Sequence, residues 1–271
     1  MTLISSISGI RGTVNGINSQ NLTPIDVVKY ASAYGSWINN KNEGKPKTIV
    51  LGRDGRISGQ TILELVKSTL ISMGINIIDT GLSTTPTTQI IIQERRADGG
   101  IILTASHNPK NWNALKLFNS NGEFLSGKQA TEIFNIVEGG EFKFKKEDDY
   151  GKLTILNDAF KIHIDEVKKL NIINLEGIKN KKFTVVVDGI NSSGGIIIPQ
   201  LLHELGVSTV LINCNPDGNF SHNPEPLDKN LSELKNRVVR EKADLGIAVD
   251  PDVDRLVFVC ENGHLFGEEN T

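Results

Sequence analysis

The chain of 271 residues is 38% hydrophobic and 23% charged, and its formal net charge at pH 7 is −3. This length favours two domains of ordinary size, and no apolar stretch is long enough to span a bilayer. The slight acidity gives no reason to expect nucleic acid or a membrane as partner, so an anionic small molecule would need a locally basic pocket.

The start of the chain and its cysteines indicate a cytoplasmic protein. The first residues form neither a basic region nor a sustained apolar region, so we expect no secretory signal. Cys214 and Cys260 lie in apolar stretches and lack a Cys-x-x-Cys spacing, which is typical of reduced core residues.

The first half of the chain alternates predicted strands and helices. Arg11 stands between two glycines, where backbone could approach a phosphate and the guanidinium could bind it, although a surface turn fits the same pattern. A helix from Pro24 to about Trp37 is predicted, with an apolar face formed by Ile25, Val28 and Ala31. Strands are predicted at 48–51, 75–79 and 100–103, with helices at 62–73 and from Pro86 onward.

The strand at 100–103 delivers a serine to a loop. Ligands of open α/β sheets collect outside the carboxyl ends of the strands, so Ser106 lies where a substrate would bind. His107 and Lys116 follow closely and offer groups that can move protons. Neighbours in an extended chain point to opposite faces, so we do not expect Ser106 and His107 to pair. The alternative is a plain turn containing Ser, Asn and Pro.

The second half repeats the first. Residues 243–250 align with residues 97–104 as an apolar strand that ends in a polar loop, and each copy alternates strands and helices. We therefore predict an α/β protein of repeated mixed domains, each a sheet flanked by helices. The charged run Lys143–Tyr150 is expected to connect them. The predicted domains are 1–150, with the serine loop, and 151–271, with a metal loop and the first residues of a further domain.

Three aspartates in the second copy form a candidate metal site. Asp250, Asp252 and Asp254 occupy alternate positions, which in an extended chain would point them to the same side. Oxygen ligands favour Mg²⁺ or Mn²⁺ over zinc, and Arg255 could balance charge or bind a phosphate. A solvated turn is the alternative.

Two other kinds of site share part of this pattern. We reject an EF-hand loop because Arg255 occupies the sixth position, where glycine is needed, and because the flanking segments are predicted strands. A haloacid-dehalogenase-like phosphatase would use Asp250 as covalent nucleophile, but too little chain follows Asp254 for its remaining motifs.

These motifs together resemble the α-D-phosphohexomutase superfamily, which contains phosphoglucomutase, phosphomannomutase and phosphoglucosamine mutase. The matching segments are Ser8–Gly12, Gly52–Asp54, Thr104–Pro109, Asn113–Lys116, His222–Pro226 and Asp250–Arg255. They extend over nearly the whole chain, and the serine loop followed by the aspartate loop is the most specific part.

The resemblance implies an intramolecular phosphotransferase that interconverts hexose 1-phosphate and hexose 6-phosphate. The phosphoserine would phosphorylate a hexose phosphate to a hexose 1,6-bisphosphate and recover the other phosphate. The implied roles are a phosphoryl carrier at Ser106, Mg²⁺ bound by Asp250, Asp252, Asp254 and the Ser106 phosphate, phosphate binding by Arg11, Asn108 and Arg255, and proton transfer by Lys116 and His107.

The chain also departs from the family pattern. Ala114 stands where the family often has glycine, which leaves Lys116 in register. The sugar-recognition loop of a third domain and the phosphate loop of a fourth are absent, and Gly267–Asn270 resembles the former only superficially.

We therefore expect a truncated mutase, with glucosamine phosphate slightly favoured over glucose and mannose phosphate. The alternatives are a catalytically silent metal-binding fragment or assembly module, and an aspartyl-phosphate phosphatase. No oligomeric state is predicted.

Overall fold

The computed structural model describes residues 1–7, 9–41 and 44–266. The chain divides into two compact units. The first consists of Met1–Arg53, Ser58–Ala105 and Asn111–Ala159. The second consists of Asp54–Ile57, Ser106–Lys110 and Phe160–Thr271. Two short loops that follow strands of the first unit therefore belong to the second.

The first unit contains a seven-stranded mixed sheet. Its strands are β1 (Ile4–Ser6), β2 (Gly9–Thr13), β3 (Lys47–Arg53), β4 (Ile75–Leu82), β5 (Gly99–Leu103), β6 (Trp112–Phe118) and β7 (Leu153–Ile155). Its helices are α1 (Pro24–Asn39), α2 (Gly59–Ser72), α3 (Thr85–Glu94) and α4 (Gly127–Gly139). The strand order is β1-β2-β6-β5-β3-β4-β7. β3 is parallel to β4 and β5, β7 is parallel to β4, and β6 is antiparallel to β2 and β5.

Helices cover both faces of this sheet. The large apolar core joins α1, α2 and α4 to alternate strand residues such as Ile49 and Leu51. Val50 faces the other way, and on that side a side chain at Gly100 would collide with Ile92 of α3. The strict alternation along β3 is what allows one strand to contribute to both layers.

The apolar face of α1 differs from the predicted one. Ile25 is 65% exposed, whereas the buried residues include Val27, Ala31, Tyr34 and Ile38. These four positions follow the helical period over the whole length of α1. The expected face was therefore wrong at its N-terminal end.

The second unit contains a five-stranded mixed sheet in the order β12-β11-β10-β8-β9. Its strands are β8 (Thr184–Asp188), β9 (Ser208–Ile212), β10 (Leu245–Val249), β11 (Leu256–Cys260) and β12 (Leu265–Phe266). Its helices are α5 (Ala159–Lys168), α6 (Leu175–Lys181), α7 (Gly194–Glu204) and α8 (Ser232–Glu241). One apolar cluster packs Leu202 of α7 against Val187, and another packs Leu234 of α8 against Val186. Helices again cover both faces.

The predicted repeat is present in the topology of the two sheets. The order β6-β5-β3-β4 in the first sheet is reproduced as β11-β10-β8-β9 in the second. In each case the central strand has a parallel neighbour on one side and an antiparallel neighbour, reached by a short loop, on the other. The predicted fold class is thereby confirmed. Among the described residues, no helix has the length and hydropathy needed to cross a membrane.

The two cysteines lie near strand ends and are only partly buried. Both thiols are free. Cys260 ends β11 and Cys214 follows β9, where burial raises the pKa of its thiol to about 11. An ordinary pH therefore leaves Cys214 protonated and unreactive.

Candidate active site

The site lies in the second unit and is built from three loops at strand ends. We call Ser106–Lys110 the serine loop, Asp250–Arg255 the aspartate loop and Asp54–Ile57 the arginine loop. They follow β5, β10 and β3, respectively. All three belong to one compact unit.

The aspartate loop brings its three carboxylates together. One oxygen from each of Asp250, Asp252 and Asp254 lies within 4.8 Å of the others. The reason differs from the one expected from the sequence, because the chain is not extended here. Val253 has a left-handed φ of 60°, and its N–H donates to the Asp250 carbonyl at 3.1 Å. A tight turn, rather than the alternation of an extended chain, therefore makes the carboxylates converge.

Asp250 is the centre of this arrangement. Its Oδ1 accepts hydrogen bonds from the N–H groups of Asp254 and Arg255, at 3.1 and 3.2 Å. Its Oδ2 accepts one from Ser106 Oγ at 2.6 Å. Burial, and then the charges of Asp252 and Asp254, raise the pKa of Asp250 well above its usual range.

The donor set fits a hard divalent cation. Three carboxylates and a hydroxyl offer only oxygen ligands, which Mg²⁺ prefers. A bound cation would also offset the crowding of negative charge that raises the pKa of Asp250. Asp250, Asp252 and Asp254 are thus the residues that could hold it.

The serine loop presents Ser106 to the carboxylates. Besides its bond to Asp250, Ser106 Oγ lies 3.5 Å from Asp254 Oδ1 and 3.4 Å from His107 Nδ1. Ser106 has a left-handed φ of 48°, so the chain is not extended at this point. The expectation that Ser106 and His107 point apart was therefore wrong. Burial, and then the charge of Arg255, lower the pKa of His107, which is neutral near pH 7.

Arg56 in the arginine loop is a site residue for which the sequence suggested no role. Its side chain is fully buried, and its guanidinium donates to the carbonyl oxygens of Ser106, Asn108 and Pro109 at 2.5, 2.8 and 2.7 Å. Asp54, equally buried, accepts from Arg56 Nε at 3.1 Å. The sequence did contain a signal for Arg56: it lies in a polar loop after β3, and residues at the carboxyl ends of strands are candidates for a site, as for Ser106.

Ser192, in the loop after β8, is a second such residue. Its Oγ accepts from the N–H of Gly55 at 2.9 Å and donates to the carbonyl of Pro251 at 2.7 Å. Ser192 is fully buried. A single hydroxyl thus connects the arginine loop with the aspartate loop.

Arg255 and Asn108, expected to bind phosphate, are both partly exposed. Arg255 Nη1 lies 3.6 Å from Glu225 Oε1. The carbonyl of Asn108 accepts from Arg56 Nη2. Both residues lie in the same unit as Ser106.

Arg11 and Lys116 lie in the first unit. They are on the neighbouring strands β2 and β6, where Arg11 pairs with Ala114. Since side chains alternate along a strand, Arg11, Ala114 and Lys116 share one face of the sheet, while Ile10 and Leu115 face the core. Ser8 of the N-terminal motif and residues 267–271, which include the segment compared with a sugar loop, lie outside the described residues.

Comparison with known proteins places this chain in a family. The description "Phosphoglucomutase/phosphomannomutase, alpha/beta/alpha domain I" matches residues 4–144, and the corresponding domain II matches residues 161–263. The chain therefore belongs to the phosphoglucomutase/phosphomannomutase family.

Similar proteins are known from archaea. A "Phosphoglucomutase/phosphomannomutase" of Thermococcus kodakarensis is 36% identical over 259 residues, which cover 95% of this chain and 56% of that protein. A "Probable phosphoglucosamine mutase" of Pyrococcus horikoshii is 37% identical, with 94% and 53% covered. The chain spans about half the length of these curated relatives.

Solved structures share the fold at lower identity. A phosphoglucomutase/phosphomannomutase family protein of Burkholderia thailandensis superposes with a TM-score of 0.78 at 24% identity, covering 98% of this chain and 56% of that one. The open form of a Paramecium phosphoglucomutase gives 0.79 at 19% identity, covering 97% and 54%.

Proposed function

We propose that this chain carries the phosphoryl-transfer site of a phosphohexomutase, which interconverts hexose 1-phosphate and hexose 6-phosphate. The observation that supports this most strongly is the 2.6 Å hydrogen bond from Ser106 Oγ to Asp250 inside a cluster of three carboxylates. A hydroxyl held beside a cation site is the arrangement that phosphoryl transfer needs, because that reaction depends on alignment and charge neutralisation.

Asp250, Asp252 and Asp254 would hold one Mg²⁺, with the phosphate on Ser106 as a further ligand. When bound, the cation would neutralise charge on the transferred phosphoryl group. The protein's own contribution is to keep the three carboxylates and Ser106 within one another's reach, through the turn at Val253 and the backbone bonds to Asp250.

Phosphorylation of Ser106 by a hexose 1,6-bisphosphate would form an Oγ–P bond and break a P–O bond to the sugar. With Asp250 engaged by the cation, the acceptor for the proton that leaves Ser106 is His107 Nδ1 at 3.4 Å. The lowered pKa of His107 keeps its ring neutral and able to accept that proton. The sugar oxygen takes up a proton and leaves as a hydroxyl.

In the reverse step the sugar hydroxyl would attack the phosphoserine, the Oγ–P bond would break, and a base would take the hydroxyl proton. We assign Lys116 as the first candidate for that base. Arg11, Arg255 and Asn108 would bind phosphate groups of the hexose phosphate or the bisphosphate. Several relatives bear the name "Probable phosphoglucosamine mutase", so glucosamine phosphate is the first sugar to test.

Neither alternative is favoured by the site. An aspartyl-phosphate phosphatase would need Asp250 as nucleophile, but both oxygens of this fully buried carboxylate already accept hydrogen bonds. A silent metal-binding module would have no need for a hydroxyl aimed into the carboxylate cluster.

The test is peptide mass spectrometry after incubation with Mg²⁺ and glucose 1,6-bisphosphate. We expect one phosphate on the peptide that contains Ser106, and none on it in Ser106→Ala. Ser208→Ala, at the opposite end of the second sheet's strands, is the matched control. Phosphate on Asp250 would establish the phosphatase instead. An unlabelled chain that still binds Mg²⁺ would establish the silent module.

A further inference from the structure

Arg56 is buried in the second unit, and its side chain donates hydrogen bonds to backbone carbonyls of the serine loop. The residue is 1% exposed. One terminal nitrogen, Nη2, donates to the carbonyls of Ser106 and Asn108, and the other, Nη1, donates to that of Pro109. A single side chain thereby fixes three of the four carbonyls between Ser106 and Pro109.

One of the residues that Arg56 binds, Ser106, has a strained backbone conformation. Ser106 has a φ of 48°, a left-handed conformation that residues other than glycine adopt rarely. Such a conformation persists only where surrounding contacts determine it. The same residue must direct its carbonyl oxygen to Arg56 and its Oγ to Asp250, and the left-handed conformation is what satisfies both bonds.

The charge of Arg56 is balanced locally. Asp54 accepts from Arg56 Nε through one carboxylate oxygen and from the Arg56 backbone N–H through the other. Because this ion pair is buried and compensated, what the guanidinium supplies to the serine loop is mainly the geometry of its planar fork. A lysine ammonium group at this position would keep the charge but would lack the planar set of donors that reaches three carbonyls.

We infer that Arg56 is a positioning residue for phosphoryl transfer: it holds the serine loop in the conformation that aims Ser106 Oγ at the carboxylate cluster. This inference rests on the proposed function of Ser106. It assigns Arg56 no contact with substrate or metal, so its loss should slow the transfer to Ser106 while metal binding persists.

The test compares Arg56→Lys with Arg240→Lys, an arginine on α8 whose side chain is 65% exposed. In Arg56→Lys, amide hydrogen exchange in the serine loop should accelerate at least about tenfold, while exchange in β10 stays unchanged. Phosphorylation of Ser106 by glucose 1,6-bisphosphate should slow by about 10- to 100-fold, the cost of a misplaced reacting group. Mn²⁺ affinity should change by less than about twofold, and Arg240→Lys should match wild type throughout.

A second variant separates geometry from folding. Ethylguanidinium added to Arg56→Ala can enter the vacated space, and it should restore the slow exchange of the serine loop and the labelling of Ser106. Ethylammonium should restore neither, because it lacks the planar fork.

The outcomes are distinct. Wild-type exchange and labelling in Arg56→Lys would overturn the inference, as would acceleration spread evenly over β10 and the serine loop. Failure of both variants to fold, even with guanidinium, would make Arg56 a residue of the fold only and would also overturn it. A wild-type chain that is never labelled, together with a loosened loop in Arg56→Lys, would refute the proposed function of Ser106 and leave the positioning of the loop standing.

Discussion

The serine loop and the aspartate loop occupy the same place in the two copies of the repeat, yet they are held in different ways. Each connects the central strand of its sheet to an antiparallel neighbour. Each also contains a non-glycine residue in the left-handed conformation, Ser106 at 48° and Val253 at 60°. Equivalent topology has therefore produced two strained loops, one with the hydroxyl and one with the carboxylates.

The aspartate loop is held mainly by its own bonds, with one further bond from Ser192 Oγ to the carbonyl of Pro251. Asp250 accepts from two N–H groups within the loop through its side chain, and from Val253 through its carbonyl. The serine loop depends instead on Arg56, which lies 50 residues earlier in the chain. The bonds that bring the carboxylates together lie within one local turn, whereas a loop held by a distant guanidinium can be loosened separately. The two halves of the site should therefore respond to different substitutions.

The largest expected effect comes from removing a ligand from the aspartate loop. Asp252→Asn should weaken Mn²⁺ binding by about 100-fold, roughly 2.7 kcal/mol, because affinity at oxygen sites follows the number of charged ligands. Without metal, the free energy of unfolding should stay the same or rise, since Asp252 is one of the charges that raise the pKa of Asp250.

Titration calorimetry with Mn²⁺ and urea unfolding of the metal-free protein measure these two effects. Glu261→Gln, which replaces an exposed acid in the turn after β11, is the control and should change neither. Unchanged Mn²⁺ affinity in Asp252→Asn would remove the aspartate loop from the metal site.

The next effect concerns the hydroxyl that connects the aspartate and arginine loops. Ser192 and Ser193 are adjacent and both fully buried, but only Ser192 Oγ bridges two backbone groups. Among the described residues, Ser193 Oγ meets no hydrogen-bond partner. Ser192→Ala should lower the free energy of unfolding by about 2 kcal/mol, because it leaves a buried N–H and a buried carbonyl unsatisfied. Ser193→Ala should stay within about 0.5 kcal/mol of wild type. Urea unfolding at constant pH distinguishes the two, and equal losses would contradict the assigned bridge.

The sequence allowed prediction of features whose causes are local. Apolar runs and glycine stops located the central strands and helices, and strand ends located Ser106 and the aspartates. The short strands β1 and β7 carry no such pattern, since their stability comes from pairing with β2 and β4. Arg56 escaped prediction for the same reason, because its partners lie 50 to 53 residues away. The aspartates were expected to converge because side chains alternate in an extended chain, but a turn brings them together instead. The left-handed φ of Val253 that forms this turn depends on the turn as a whole and cannot be read from the local sequence.

The smallest expected effect concerns a contact between the aspartate loop and a segment outside it. Arg255 reaches outside the loop to Glu225, which lies three residues after His222. His222 is anchored at both ring nitrogens, to Asp188 Oδ2 at 3.0 Å and to the Asn223 carbonyl at 2.8 Å. Both partners offer acceptor oxygens, which favours the protonated form of the ring. Burial lowers its pKa, but the hydrogen bond and charge of Asp188, together with the Asn223 carbonyl and the charge of Glu233, outweigh burial, and the net pKa of His222 is raised.

This raised pKa sets the direction of a pH dependence. Because the folded protein binds the His222 proton more tightly than the unfolded chain, the stabilisation is complete below the ordinary pKa of about 6.5. It should be lost as pH rises through the folded value, by no more than about 1 kcal/mol for a partly exposed pair. Urea unfolding at pH 6, 7 and 8 measures it as a difference, because other groups such as Asp250 also titrate. The gap in unfolding free energy between wild type and His222→Gln should shrink as pH rises, whereas the gap between wild type and His264→Gln, which replaces an exposed histidine, should stay constant. A difference between wild type and His222→Gln that stayed constant from pH 6 to 8 would mean that His222 does not titrate in this range, and that the Glu225 segment does not depend on a charged histidine to reach Arg255.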